Sequence, residues 1–113
     1  MSMGYSPREA MVAVGTVSPA LTAAGSTQAT ALAMGWDDVQ LFGTVASSTG
    51  AIFAQPYLAC DTVTVINAGA NALTIYPATG GAINGGSTNS GVSVSNGATA
   101  VFQTVDGLNW WQV

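Results

Sequence analysis

Six side chains in this 113-residue sequence carry formal charge, and a seventh, Cys60, could act as a nucleophile. The charged six are Arg8, Glu9, Asp37, Asp38, Asp61 and Asp106. With no histidine and no lysine, the chain cannot build a Ser-His-Asp triad, a histidine metal site, a Schiff base or a Walker lysine. Two carboxylates suffice for a glycosidase. Here each aspartate has a structural reading instead: Asp106 precedes Gly107 in a turn dipeptide, Asp61 opens a strand, and Asp37-Asp38 sit in a loop. The same adjacent pair could join carbonyls in a weak Ca²⁺ site, but a solvated loop is the simpler expectation. Cys60 has nothing cationic near it in sequence to lower its pKa, so it reads as a small buried thiol. The expectation is a protein that is not an enzyme, with no catalytic, metal or cofactor-binding residues.

The elements that must hold these residues are strands. Charged residues make up 5% of the chain, against roughly 25% in an ordinary soluble domain, while hydrophobic residues reach 49%. That combination is the reverse of disorder. Glycine and proline interrupt the uncharged stretch after Glu9, leaving no apolar run of about 20 residues to span a membrane. No signal peptide is expected. A net charge of −4 with one arginine argues against nucleic-acid and anionic-membrane partners.

Residues 1–17 read as an N-terminal arm and residues 18–113 as one β domain. Within the arm, Ser6-Pro7-Arg8-Glu9 has the pattern of a helix N-terminus, with Ser as cap and Glu three residues on. The run Arg8 to Val14 could form two helical turns ended by Gly15, or an irregular arm that orders on a partner. In the domain, Gln28 to Met34 alternates as a strand would, and Val39-Gln40-Leu41-Phe42-Gly43-Thr44-Val45 places Val39, Leu41 and Val45 on one face. Asp61 to Asn67 is the cleanest strand and is expected to meet Ala72 to Tyr76 across the loop Ala68-Gly69-Ala70-Asn71. Thr79 to Ser90 is Gly- and Asn-rich and reads as tight loops around Ile83. Asn96-Gly97 and Asp106-Gly107 are hairpin signals. The run Val63 to Ala70 is echoed by Val92 to Ala98, but two copies do not establish a solenoid. The fold class is therefore all-β: a single β-sandwich or barrel-like domain of jelly-roll or Greek-key type.

Trp110 and Trp111 are adjacent, so in a strand they face opposite ways. One can enter the core, and the other is a subunit contact or a sugar-stacking platform. Met11, Val12, Val14, Trp36, Trp110 and Trp111 are the candidate assembly contacts.

The run Asp61-Thr62-Val63-Thr64-Val65-Ile66-Asn67-Ala68-Gly69-Ala70-Asn71-Ala72-Leu73-Thr74-Ile75-Tyr76, continuing to Gly85, resembles a segment of short structural proteins of tailed bacteriophages. Ser18 to Leu32, Ala100-Val101-Phe102 and Asp106-Gly107-Leu108-Asn109-Trp110 fit the same pattern. The likeness spans nearly everything after Val17 and extends to head decoration, head-fibre and tail-appendage proteins alike. It implies a β-sandwich or barrel-like module in a virion assembled in the bacterial cytoplasm, often a homotrimer, and carries over no catalytic residues. The expected role is a head decoration or cement protein that docks on the major capsid protein or another virion protein. The alternatives are a head-fibre or tail-appendage subunit, and a carbohydrate-binding module for host glycans.

Overall fold

A computed structural model of the chain describes residues 15–113. The candidate contacts Met11, Val12 and Val14, and the helix expected in the arm, lie outside the described residues. The described strands are β1 (Leu21–Thr22), β2 (Leu32–Ala33), β3 (Val39–Thr44), β4 (Thr49–Ile52), β5 (Thr62–Asn67), β6 (Leu73–Tyr76), β7 (Val92–Val94), β8 (Thr99–Thr104) and β9 (Trp110–Gln112). They form a five-stranded sheet, β1-β3-β5-β8-β9, packed on a four-stranded sheet, β2-β4-β6-β7. This is the all-β sandwich expected from the residue pattern.

Alternation explains the core. On β5, Val63 and Val65 point inward between the less buried Thr62, Thr64 and Ile66, and on β6 Leu73 and Ile75 do the same. Phe42, Phe102 and Ala100 join from the first sheet, and Ala51 and Val94 from the second. Each fully buried Val, Leu, Ile or Phe contributes about 1.5–3 kcal/mol.

The connectivity differs from a run of hairpins. From β1 to β6 the chain alternates between sheets, so that β1, β3 and β5 are parallel neighbours in one and β2, β4 and β6 in the other. Three turns of a parallel coil result, closed by β7, β8 and β9, which run antiparallel to their neighbours. The expected hairpin between β5 and β6 is thus replaced by a crossing. Gly69 makes it possible, since a Cβ there would lie 2.7 Å from the backbone nitrogen of Val45. Asn96-Gly97 is likewise a crossing, from β7 to β8. A type I′ hairpin turn needs positive φ at both central residues; Gly97 has φ +78°, but Asn96 is not left-handed. Each of the two echoed segments thus spans a place where the chain changes sheet. Asp106-Gly107, with Gly107 at φ +90°, does close the hairpin between β8 and β9.

Two strand readings are corrected. On β3 the inward residues are Gln40 and Phe42, with Val39 and Leu41 half-buried. Phe42 offers the larger apolar surface, and the Gln40 Nε2 donates to the carbonyls of Gly35 (3.1 Å) and Asp37 (2.9 Å), while its Oε1 is buried with no hydrogen-bond partner among the described residues. Between Gln28 and Met34, a 3-10 turn at Gln28–Thr30 replaces most of the strand. Reciprocal capping causes this: the Thr27 hydroxyl accepts from the Thr30 amide, and the Thr30 hydroxyl accepts from the Thr27 amide.

Sheet edges are blunted within the chain. Edge strands β1 and β2 are two residues long, and β7 and β9 three. Along β9, Trp110 donates to the Ala82 carbonyl (2.9 Å) and accepts from the Asn84 amide (2.8 Å), so a loop covers that edge.

Candidate functional site

A line of aromatic rings in contact runs from the core to one end of the sandwich. Phe102 on β8 meets Phe53, just after β4, edge-on at 5.4 Å; Phe53 stacks on Trp110 of β9 at 4.2 Å. Trp110 meets Tyr57 edge-on at 5.0 Å, and Tyr57 lies 4.8 Å from Trp36 at a tilt of 53°. Trp110 is 1% exposed and Trp36 54% exposed, so the line begins in the core and ends in solvent. Offset and edge-to-face pairs of this kind add to the burial of the rings and fix their orientation.

At the outer end Trp36, Asp38, Pro56, Tyr57, Leu58, Cys60, Asp61 and Thr62 line a cleft of about 390 Å³. Three segments build it. The turn before β3 carries Trp36 and Asp38, and buried Gln40 anchors this turn through its two hydrogen bonds. The connection from β4 to β5 carries Pro56 to Asp61. Its last turn is closed by the Asp61 carboxylate, whose Oδ2 accepts from the Leu58 amide at 2.8 Å. Thr62 opens β5. The chain from the arm arrives beside the same cleft: the Thr16 amide donates to Asp38 Oδ2 (3.1 Å), and the Val39 amide donates to the Thr16 carbonyl (3.0 Å).

The site is electronegative. Residues 15–113 contain four aspartates and no Lys, Arg or His, and three of the four, Asp37, Asp38 and Asp61, gather around Tyr57. Burial, and then the charges of Asp61, Asp38 and Asp37, push the Tyr57 phenol above its ordinary pKa. Asp106 is separate and structural: its carboxylate accepts from the Asn109 amide (2.7 Å), the Asn109 side chain (2.8 Å) and the Leu108 amide (2.9 Å). Those bonds hold its pKa below the ordinary range. Among the described residues no group of three or more His, Cys, Asp or Glu is placed to hold a metal ion. Aromatic walls beside carboxylates can hold a cation or a polyol.

The sequence-derived contacts divide three ways. Trp36 forms a cleft wall. Trp110 is core, so it supports the cleft through Tyr57 and is not open to a partner. Trp111 points the other way, 45% exposed, over Gly85, where a Cβ would lie 2.9 Å from its ring. Cys60 corrects an expectation: it is exposed, at φ +75°, because the turn closed by Leu58 and Asp61 points it outward. Tyr57 and Leu58 were not singled out by sequence. Their signal is an aromatic and an apolar residue in the long β4–β5 connection, where a purely solvated loop would carry polar ones. Protein-family models, curated proteins and solved structures contain no match to this chain.

Proposed function

We propose that this chain is a non-catalytic structural subunit of a tailed-bacteriophage virion, a head decoration or cement protein. The virion part of the reading rests on the resemblance of residues 18–113 to phage structural proteins. The docking part rests on one observation: exposed Val17, Trp36, Leu58 and Val105 gather at the end of the sandwich where the arm joins it. Val17 bridges to Val39 at the start of β3, Trp36 and Leu58 line the cleft, and Val105 follows β8 beside Asp61. Exposed apolar side chains concentrated in one region mark an interaction surface. Contacts of this kind need not be strong singly, because repetition over a symmetric shell makes modest interfaces effective. A closed homotrimer is the assembly unit we propose. The short, covered edges described above lessen the need for partners at the edges, so this unit rests on apolar contacts such as Trp111 and on the resemblance.

Microscopy of purified particles with a label on the C-terminus tests the role. Regular label over the head is expected; particles that lack the protein refute it. Light scattering on the isolated protein should give three subunits, and a stable monomer refutes the trimer. With so few charges, release from the head should change little between low and high ionic strength. The exposed Trp36 beside two carboxylates also gives the glycan-binding reading a concrete site. A saccharide screen in which Trp36→Ala abolishes a measured affinity would favour it over docking.

A further inference from the structure

The two outer faces of the sandwich differ. Against the four-stranded sheet the chain lays its own segment: the Tyr76 hydroxyl donates to the Ser26 carbonyl (3.2 Å), and the Gln28 side chain donates to the Pro77 carbonyl (2.9 Å). On the five-stranded sheet, alternation turns Val39 and Leu41 of β3, Ile66 of β5 and Val101 of β8 outward between buried neighbours. None of these four packs against the buried core. Register sets them side by side: Val39, Thr64 and Val101 form one row, and Leu41, Ile66 and Thr99 the next. No residue of the five strands is charged. Asp37 and Asp38 precede β3, Asp61 precedes β5, and Asp106 follows the antiparallel β8, so all four aspartates lie at one end. Four strand spacings of about 4.8 Å by six residues of about 3.3 Å give the face an outline of about 400 Å². An exposed apolar patch of that size is commonly an interaction site.

Charge selects the occupant. Roughly a quarter of the residues of an ordinary soluble domain are charged, and burying such groups on a face that offers no counter-charge is costly. The same face of a second copy brings none. Its relief is also self-complementary. Trp111 projects at the β9 edge, 45% exposed. Three strands away, at about 14 Å, Gly43 and Ala20 leave a hollow: both are exposed, and a Cβ on Gly43 would lie 3.3 Å from the Ala20 Cβ. We propose that copies of this chain associate through the outer face of the five-stranded sheet, with Trp111 of one copy seated over Ala20 and Gly43 of the next. A knob and a hollow at opposite edges make the contact heterologous, and such contacts close into rings. That the ring holds three copies rests on the reading above; the choice of face does not.

Light scattering on the full-length protein at micromolar concentration provides the test. Val101→Asp places a charge in the middle of the face, and Gly43→Leu fills the hollow from outside the core at a position that needs no left-handed backbone. Both should reduce the mass to that of one subunit while a cooperative melting transition persists. Ser93→Asp, exposed on the other sheet, should leave the mass as in wild type. A second readout is acrylamide quenching in a Trp36→Phe background, where Trp111 is the exposed indole and Trp110 the buried one. Quenching should rise when Val101→Asp is added. Folded Val101→Asp and Gly43→Leu proteins that keep the wild-type mass overturn the choice of face and leave the threefold standing. Loss of mass in Ser93→Asp as well overturns it too, because association would not depend on this face. A wild-type dimer that both face variants dissolve keeps the face and removes the threefold. A wild-type monomer, with Trp111 quenched as freely as in Val101→Asp, overturns both.

Discussion

Replacing Asn67 with alanine should destabilise the fold by about 3 kcal/mol, a large effect for a residue that touches no cleft and faces no solvent. Asn67 ends β5 at the point where the chain leaves one sheet for the other, and it is fully buried. Its Nδ2 donates to the carbonyls of Asn71 (2.8 Å) and Val94 (3.0 Å), and its Oδ1 accepts from the Gly69 amide (3.0 Å). One side chain therefore joins the outgoing crossing, 68–71, to the end of β7, where the return crossing begins. Its own carbonyl accepts from the Gly97 amide (2.7 Å), tying in the return turn through backbone that alanine would keep. The bond to Val94 is buried, so its loss leaves a desolvated carbonyl at about 1–3 kcal/mol. Water can replace part of the other two, which are partly exposed, leaving about 0.5–1.5 kcal/mol each. Denaturant unfolding at unchanged slope measures the loss, and the melting temperature should fall by more than about 10 °C for a domain of this size. Amide exchange should quicken first at Gly69. A loss below about 1 kcal/mol would mean that the crossings hold without the bracket, and the reasoning would fail.

Four further outcomes are expected. Gly97→Val should lower stability by about 1–2 kcal/mol from positive φ alone, because a Cβ there has open space, and an unchanged melting curve would remove the turn assignment. Gly107→Ala should cost at least twice as much in the same assay, since its Cβ would meet the Tyr57 carbonyl at 2.2 Å as well as requiring φ +90°. Trp110→Ala should lose about 3–5 kcal/mol by unfolding, whereas Trp111→Ala should lose roughly 1 kcal/mol or less. In pH titrations of stability the two shifted groups act at opposite ends. Asp106, lowered in the fold, contributes fully above the ordinary carboxylate range, and that contribution disappears as pH falls through its lowered value, so Asp106→Asn should flatten the acid limb. Tyr57, raised in the fold, contributes fully below the ordinary tyrosine range and loses this as pH rises through its raised value, so Tyr57→Phe should flatten the alkaline limb.

Strand identity was legible where side-chain alternation is strict. Val63 and Val65 between threonines fix which face of β5 is buried, whichever strand lies beside it. The opposite facing of Trp110 and Trp111, and the Asp106-Gly107 hairpin, follow from rules as local as these. β3 misled because the apolar residues Val39 and Leu41 compete with Phe42 for the inner face, and the winner carries Gln40 inside with it. Burial of the Gln40 Nε2 is met by acceptors that Gly35 and Asp37 supply from a turn that a linear pattern does not show. Cys60 was misjudged for a related reason. Thiols are commonly buried, but this one occupies a left-handed turn position whose closure depends on the Asp61 carboxylate.

By itself, then, the sequence determined the class of fold and which reactive side chains the chain lacks. Period-two alternation selects strands, and the missing histidine and lysine remove whole groups of reactions in any fold. Partner strands were beyond it. A crossing between sheets and a hairpin use the same glycines and asparagines, and only the contact of Gly69 with Val45, and the bonds of Asn67, decide between them. The cleft is tertiary in the same sense. Trp36, Tyr57 and Asp61 stand on two separate connections, and they meet because β3 and β5 lie side by side in parallel, with Val39 opposite Thr64. Parallel pairing brings the starts of both strands, and the connections that lead into them, to one end of the sandwich.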